Sequence, residues 1–201
     1  MAIKGLSIPV CGEYTNNEGA VSYANQFIAN KAVEYAISWE TGDDNPDYQD
    51  NMIAENDKGT FQSGELTLTV GDLPQDLVVK LLGLTTSTDT VDGETVSVAN
   101  YDDEMNPPFL GFGVIELHQI NDVNKYRAVF LHKINFAMPE EGATTLGESI
   151  DWQHREIVGT IRRSDATTPE VHPWMSDAWF DTEAKALAWL QYRCGGTTPS
   201  A

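Results

Sequence analysis

Asp43, Asn45 and Asp47 have the one-three-five spacing of oxygen ligands in an EF-hand loop. The rest of the pattern is missing, because such a loop needs Gly at its sixth place and Glu at its twelfth. This chain has Tyr48 and Ala54 there, and Pro46 inside the turn. A solvated or partner-contacting segment is the expected reading. The four histidines, His118, His132, His154 and His172, are separated by 14, 22 and 18 residues and form no short metal-ligand motif, so no metal is expected. His132 falls between Phe130 and Ile134 on an apolar strand face, which predicts a hydrogen-bonded core or edge histidine. There is no Gly-x-Ser-x-Gly elbow, no phosphate-binding glycine loop and no cysteine beside a recognisable base. Carboxylates are so numerous that some pair falls at glycosidase separation by chance. No catalytic or cofactor-binding residue is assigned, and no enzymatic activity or cofactor is expected. Trp152, Trp174, Trp179 and Trp189 concentrate near the C-terminus. A carbohydrate-stacking platform is one reading of them; core packing is the simpler one, with Trp189 in a helical segment and Trp179-Phe180 anchoring that helix to a sheet.

The elements that must position these groups are mostly strands. Lys31, Val33, Tyr35, Ile37 and Trp39 alternate with Ala32, Glu34, Ala36 and Ser38, and Leu66, Leu68 and Val70 alternate with Glu65, Thr67 and Thr69. Further strands are expected over Thr95 to Asn100, Phe112 to Ile120, Lys125 to Phe136 and Trp152 to Arg163. Asn121 to Asn124 reads as the turn of an antiparallel hairpin, and Tyr126, Ala128, Phe130, His132, Ile134 and Phe136 are expected to share one face. One helix is predicted over Leu77 to Leu84, capped by Asp72, with Pro74 early and Gly83 at its end. A second is predicted over Ala184 to Tyr192, started by Thr182 and Glu183. The sum is a mainly β chain, an antiparallel sandwich or barrel with one or two short flanking α-helices. The longest irregular stretch, Glu40 to Lys58, carries seven acids before its first base; a loop of that length is usually functional or disordered.

The 201 residues are 41% hydrophobic and 21% charged, which suits one domain over 1–201 with a mobile tail from about 195. Thirty-one acids against twelve bases give a net charge of −19, and residues 1–110 hold 19 acids and 4 bases. A surface this acidic repels phosphate backbones, so tight nucleic-acid binding is excluded. No apolar run approaches the roughly 20 residues of a membrane helix, the first residues lack a hydrophobic secretory core, and no membrane anchor is expected. Cys11 and Cys194, far apart and outside any Cys-x-x-Cys, read as reduced structural thiols.

The order of pieces carries a resemblance. A strand ends in Trp39-Glu40-Thr41-Gly42-Asp43-Asp44-Asn45-Pro46, and an acidic loop leads to Ala54-Glu55-Asn56-Asp57. Gly59-Thr60-Phe61, Ser63-Gly64-Glu65-Leu66-Thr67-Leu68, Gly71-Asp72-Leu73 and the Leu77 to Leu84 helix follow. This resembles the major tail proteins, or tail-tube proteins, of long-tailed siphophages infecting Gram-positive bacteria. Gly111-Phe112-Gly113, Tyr126 to Lys133 and Phe180-Asp181-Thr182-Glu183-Ala184 are similar to later parts of that family. The resemblance spans nearly the whole chain and is strongest over 36 to 84. It implies a non-enzymatic β-sandwich or barrel subunit that forms hexameric rings stacked into a hollow tube, with one sheet of each subunit lining the channel. It places the protein in the virion tail, assembled in the host cytoplasm. Implied partners are further copies of itself, a tape measure protein, and tail-initiator or baseplate and tail-terminator proteins, with DNA passing through unbound. The long loop would then make contacts between subunits or rings through Asp43, Asp44, Asp47, Tyr48, Asp50, Met52, Ile53, Glu55 and Asp57. Glu65, Thr67 and Thr69, or Glu116 and His118, read as wet faces and are the candidate channel lining. The alternatives are a tube-forming hexamer of a contractile secretion or particle system, and a monomeric β-sandwich binding module using the tryptophans.

Overall fold

Alternation in the sequence becomes alternation in burial wherever one face of a strand meets the core. The computed structural model describes residues 2–29, 31–49, 52–57, 59–143, 145 and 154–196. The elements run β1 (Ala2–Asn17), β2 (Ala20–Ile28), β3 (Ala32–Thr41), β4 (Asn45–Gln49), β5 (Met52–Asp57), β6 (Phe61–Val70) and α1 (Gln75–Leu82). They continue with β7 (Thr85–Val91), β8 (Glu94–Asn100), β9 (Leu110–Ile120), β10 (Val123–Phe136), β11 (Arg155–Ile161), β12 (Met175–Phe180) and α2 (Glu183–Arg193). The main sheet is antiparallel in the order β2-β1-β9-β10-β11-β6-β3. The β12 strand pairs with Tyr126–Leu131 of β10, and β11 takes over beyond it at Ile134–Phe136. Two ribbons, β4-β5 and β7-β8, pair only within themselves among the described strands. The fold is mainly β with two short helices, as expected.

The sheet curls around one large core. Leu66, Leu68 and Val70 of β6, Ile157 and Ile161 of β11, Phe112 and Val114 of β9 and Val129, Leu131, Ile134 and Phe136 of β10 converge on it. Helix α1 lays Leu77, Val78, Leu81 and Leu82 into the same core, each such side chain contributing about 1.5–3 kcal/mol on burial. Its C-terminus turns at Gly83, which has φ 64° and sits so close to Asn106 that an added Cβ would fall 2.3 Å from that carbonyl oxygen. A smaller core lies on the opposite side of β1, β9 and β10, where Ala186, Leu190 and Cys194 cover Val10, Ile115, Ala128 and Phe130. Thr182 caps α2 by accepting from the Lys185 amide. The helix can approach because Gly113 has no side chain; a Cβ there would lie 2.5 Å from Leu190.

Several expectations are corrected. The acidic stretch is not irregular: β4 and β5 form a hairpin with Asp47 opposite Glu55 and Tyr48 opposite Ile53. The six residues from Tyr126 to Phe136 do not share a face. A register shift between Leu131 and Ile134 turns the strand over, so Ala128 and Phe130 face α2 while Ile134 and Phe136 join Val129 and Leu131 in the large core. A shift between Ala32 and Glu34 likewise removes Val33 from the face of Tyr35 and Ile37. Asp72 does not cap α1; Pro74 holds the N-cap position with no side-chain cap. Strands β1, β2, β7 and β12 were not among the expected elements. Trp152, Asp50, Lys58 and the tail from 197 lie outside the described residues.

Candidate functional site

Three strands present a continuous outer face made of short or acidic side chains. Their register sets Ser38, Glu65 and Thr160 in one row, Ala36, Thr67 and Val158 in the next, and Glu34, Thr69 and Glu156 in a third. The reverse side of these strands carries Leu66, Leu68, Ile157 and Ile161, all buried, so the period of two fixes which side is wet. Glu34, Glu65 and Glu156 are exposed, and none is in an ion pair among the described residues. Of the candidate lining residues, Glu65, Thr67 and Thr69 therefore belong to one open face.

Glu116 and His118 do not. They are 4% and 6% exposed and belong to a buried polar network inside the sheet. The Tyr35 hydroxyl donates to one oxygen of Glu116; His118 Nε2 lies 2.8 Å from the other and Arg127 Nη1 3.3 Å from it. Arg127 Nε donates to Asp177 at 2.8 Å, and the Trp179 ring packs 4.8 Å from the His118 ring. Burial works against the Glu116 carboxylate, but Tyr35, His118 and Arg127 outweigh it and hold its pKa below the ordinary value. The same burial, reinforced by the carboxylate, pushes the Tyr35 hydroxyl up. The sequence signal for burial was Gly111 to Leu117, a nearly unbroken apolar run of the kind that marks a strand covered on both faces.

Beside this network the N-terminal half of β1 and the strand β3 face each other across a cleft of about 520 Å3. Ile3, Lys4, Gly5 and Leu6 line one side, Val33, Glu34, Tyr35, Ile37 and Trp39 the other, and Val129, Met175, Glu116 and Arg127 complete it. Among the described residues both strand edges are unpaired here. The β1 strand meets β2 only from Val10 onward, and β3 pairs only with β6.

His132 is buried, as expected, with Ser176 Oγ 2.7 Å and Arg193 Nη2 3.4 Å from its Nε2. A guanidinium can only donate, so Nε2 is the bare nitrogen and the serine hydroxyl donates to it as well. Burial and then Arg193 lower its pKa to about 4. A serine–histidine contact of this length is the starting geometry of a nucleophile and its base. Here the neighbouring cation opposes the imidazolium that proton transfer would create, so the pair is built to stay neutral.

Trp174, Trp179 and Trp189 each pack on a different ring, and Trp174 and Trp179 stay 39% and 44% exposed, so these two are not core residues. Trp174 stacks on Phe61 at 4.6 Å, Trp179 packs on His118, and Trp189 lies 6.1 Å from Phe180. It is Phe180, not Trp179, that packs beneath α2. Cys11 and Cys194 are free, buried and divided between the two cores. Burial raises both thiols, Cys194 to about 12. Among the described residues no helix is long and apolar enough to cross a membrane. Of the contact-loop candidates, Asp47 and Tyr48 lie in β4 and Met52, Ile53, Glu55 and Asp57 in β5; Asp43 and Asp44 precede the hairpin. Asp44 accepts from the Gly59 amide at 2.9 Å, pinning the base of the ribbon. Comparison with protein-family models and with curated proteins returned no match.

Proposed function

We propose that the chain is a structural subunit that assembles into hexameric rings stacked as a tail tube, a conduit for DNA in the virion of a long-tailed phage. The observation that carries this reading is the outer face of β3, β6 and β11. It joins short hydroxyl and methyl side chains to unpaired glutamates with no cation among its three rows. Such a wall gives phosphate no cation to hold and repels it at the two outer rows, where Glu65, Glu34 and Glu156 stand. Six copies at −19 each carry a formal −114, so a channel lined this way lets DNA slide. The two ribbons that stand apart from the main sheet supply arms for assembly, since a two-stranded hairpin alone is marginally stable in water and gains from lying against another surface. Virion tail localisation and the tape measure, initiator and terminator partners belong to this same reading.

The test is electron microscopy of concentrated protein, with a Glu65→Lys, Thr67→Lys variant beside it. Hollow tubes are expected from both, with duplex DNA retained by the variant tubes and not by the wild type. Tubes that ignore the charge reversal would remove this face from the channel, and protein that forms no rings or tubes, even with tail-initiator components, would overturn the assignment.

A further inference from the structure

The β7-β8 ribbon and the cleft between β1 and β3 are complementary in three respects. The first is apolar surface: Val91 and Val96 near the ribbon tip are 59% and 43% exposed, while Ile3 and Val33 at the cleft mouth are 65% and 47% exposed. The second is charge. Residues 85–100 carry Asp89, Asp92 and Glu94 and no base, and these acids have no ion-pair partner among the described residues. Lys4 lines the cleft and is equally unpaired, facing Glu34 as the one other charge there that is not already held, since Arg127 on the floor is paired with Glu116 and Asp177. The third is backbone: the cleft is bordered by two unpaired strand edges, and each ribbon strand also has an unpaired outer edge. Unpaired edges of this kind are templates for strand addition from another chain.

The ribbon is also held ready to reach outward. Gly83 turns the chain out of α1 into β7, Ala99 anchors the root of β8 on the large core, and Gln75 donates to the Ser97 carbonyl at 3.2 Å. Every residue of β7 is exposed, and at about 3.3 Å per residue a strand of this length extends about 23 Å. The Asp92-Gly93 turn, with φ of 52° and 88°, closes the tip tightly.

We infer that the cleft between β1 and β3 receives the tip of the β7-β8 ribbon of a second copy of this chain, Val91 and Val96 packing against Ile3 and Val33 with the tip acids beside Lys4. The inference rests on the assembly reading above and names one contact that would build it. Each copy has one ribbon and one cleft in different places, so the contact is head-to-tail, the type that closes into a ring or runs on as a filament.

The test mixes singly substituted Val96→Cys and Val33→Cys proteins at high concentration under mild oxidation; the native thiols are fully buried and silent. Disulfide-linked heterodimer is expected at least tenfold above that from Val96→Cys mixed with Val171→Cys, an exposed position that does not line the cleft. Val91→Cys with Ile3→Cys is the second pair. Linkage at the control level for both pairs overturns the inference. Light scattering on the same mixtures separates the two claims. Control-level linkage in samples that still form rings overturns the ribbon contact and leaves the tube reading intact. Strong linkage in chains that stop short of rings supports the contact and counts against the tube. Control-level linkage in protein that stays monomeric counts against both.

Discussion

His132 shows how one side chain can tie stability to pH. Its ring lies against Phe130, accepts from Ser176 and Arg193 and has a pKa of about 4, whereas a histidine in the unfolded chain titrates near 6.5. Between those values the unfolded chain holds a proton that the folded chain refuses, so stability rises with pH across the window and is lost on acidification. The full effect is about 3 kcal/mol. Chemical denaturation at pH 7, 5.5 and 4.5 is expected to show a progressive loss that a His132→Gln variant shows much less; equal slopes in the two proteins would contradict the assignment. The buried state of His132 was legible because its neighbours in the strand are apolar. That of Glu116 and His118 was not, because period-two reasoning assigns polar residues to a wet face. Here Tyr35 and Arg127, the latter held in turn by Asp177, come from three other strands and satisfy the Glu116 carboxylate inside, and His118 is bonded through that carboxylate. Such long-range satisfaction leaves no mark in the local pattern.

Elements were legible in proportion to how strongly one face is buried. The β6 and β9-β10 strands were found because apolar side chains recur on a face, and α2 because Thr182 and the Ala-Leu run mark it. The β7 strand was missed because all its residues are exposed, leaving only Asp92-Gly93 as a turn signal. The β1 strand was missed because bulges break its alternation, the sharper at Ile8, where φ is 41° between register positions Ser7 and Val10. In the sequence the β4-β5 ribbon reads as a loop because its residues are predominantly polar and acidic. Its base is closed independently of it: the Gly42 amide donates to the Thr60 carbonyl at 2.9 Å. Deleting Asp43 to Asn56 is therefore expected to shift the melting temperature by only a few degrees while abolishing polymerisation. Circular dichroism and sedimentation read the two effects, and full-length tubes from the deletion would remove the ribbon from the assembly contacts.

At the scale of the whole molecule, charge and edges point the same way. Acids outnumber bases most heavily in residues 1–110, the part that supplies β3, β6 and both ribbons, so the acidity is concentrated on the wet face and the arms. The sheet ends at β2 and β3, and open edges of this length invite pairing with other chains. A closed ring uses those edges instead of leaving them as aggregation sites. The most direct test of the account is the mass of the concentrated protein by size-exclusion chromatography with light scattering. Hexameric rings give particles of about 133 kDa, six times the 22.2 kDa chain, and multiples of that mass as they stack. A constant 22.2 kDa at every concentration, including after addition of tail-initiator components, would contradict it.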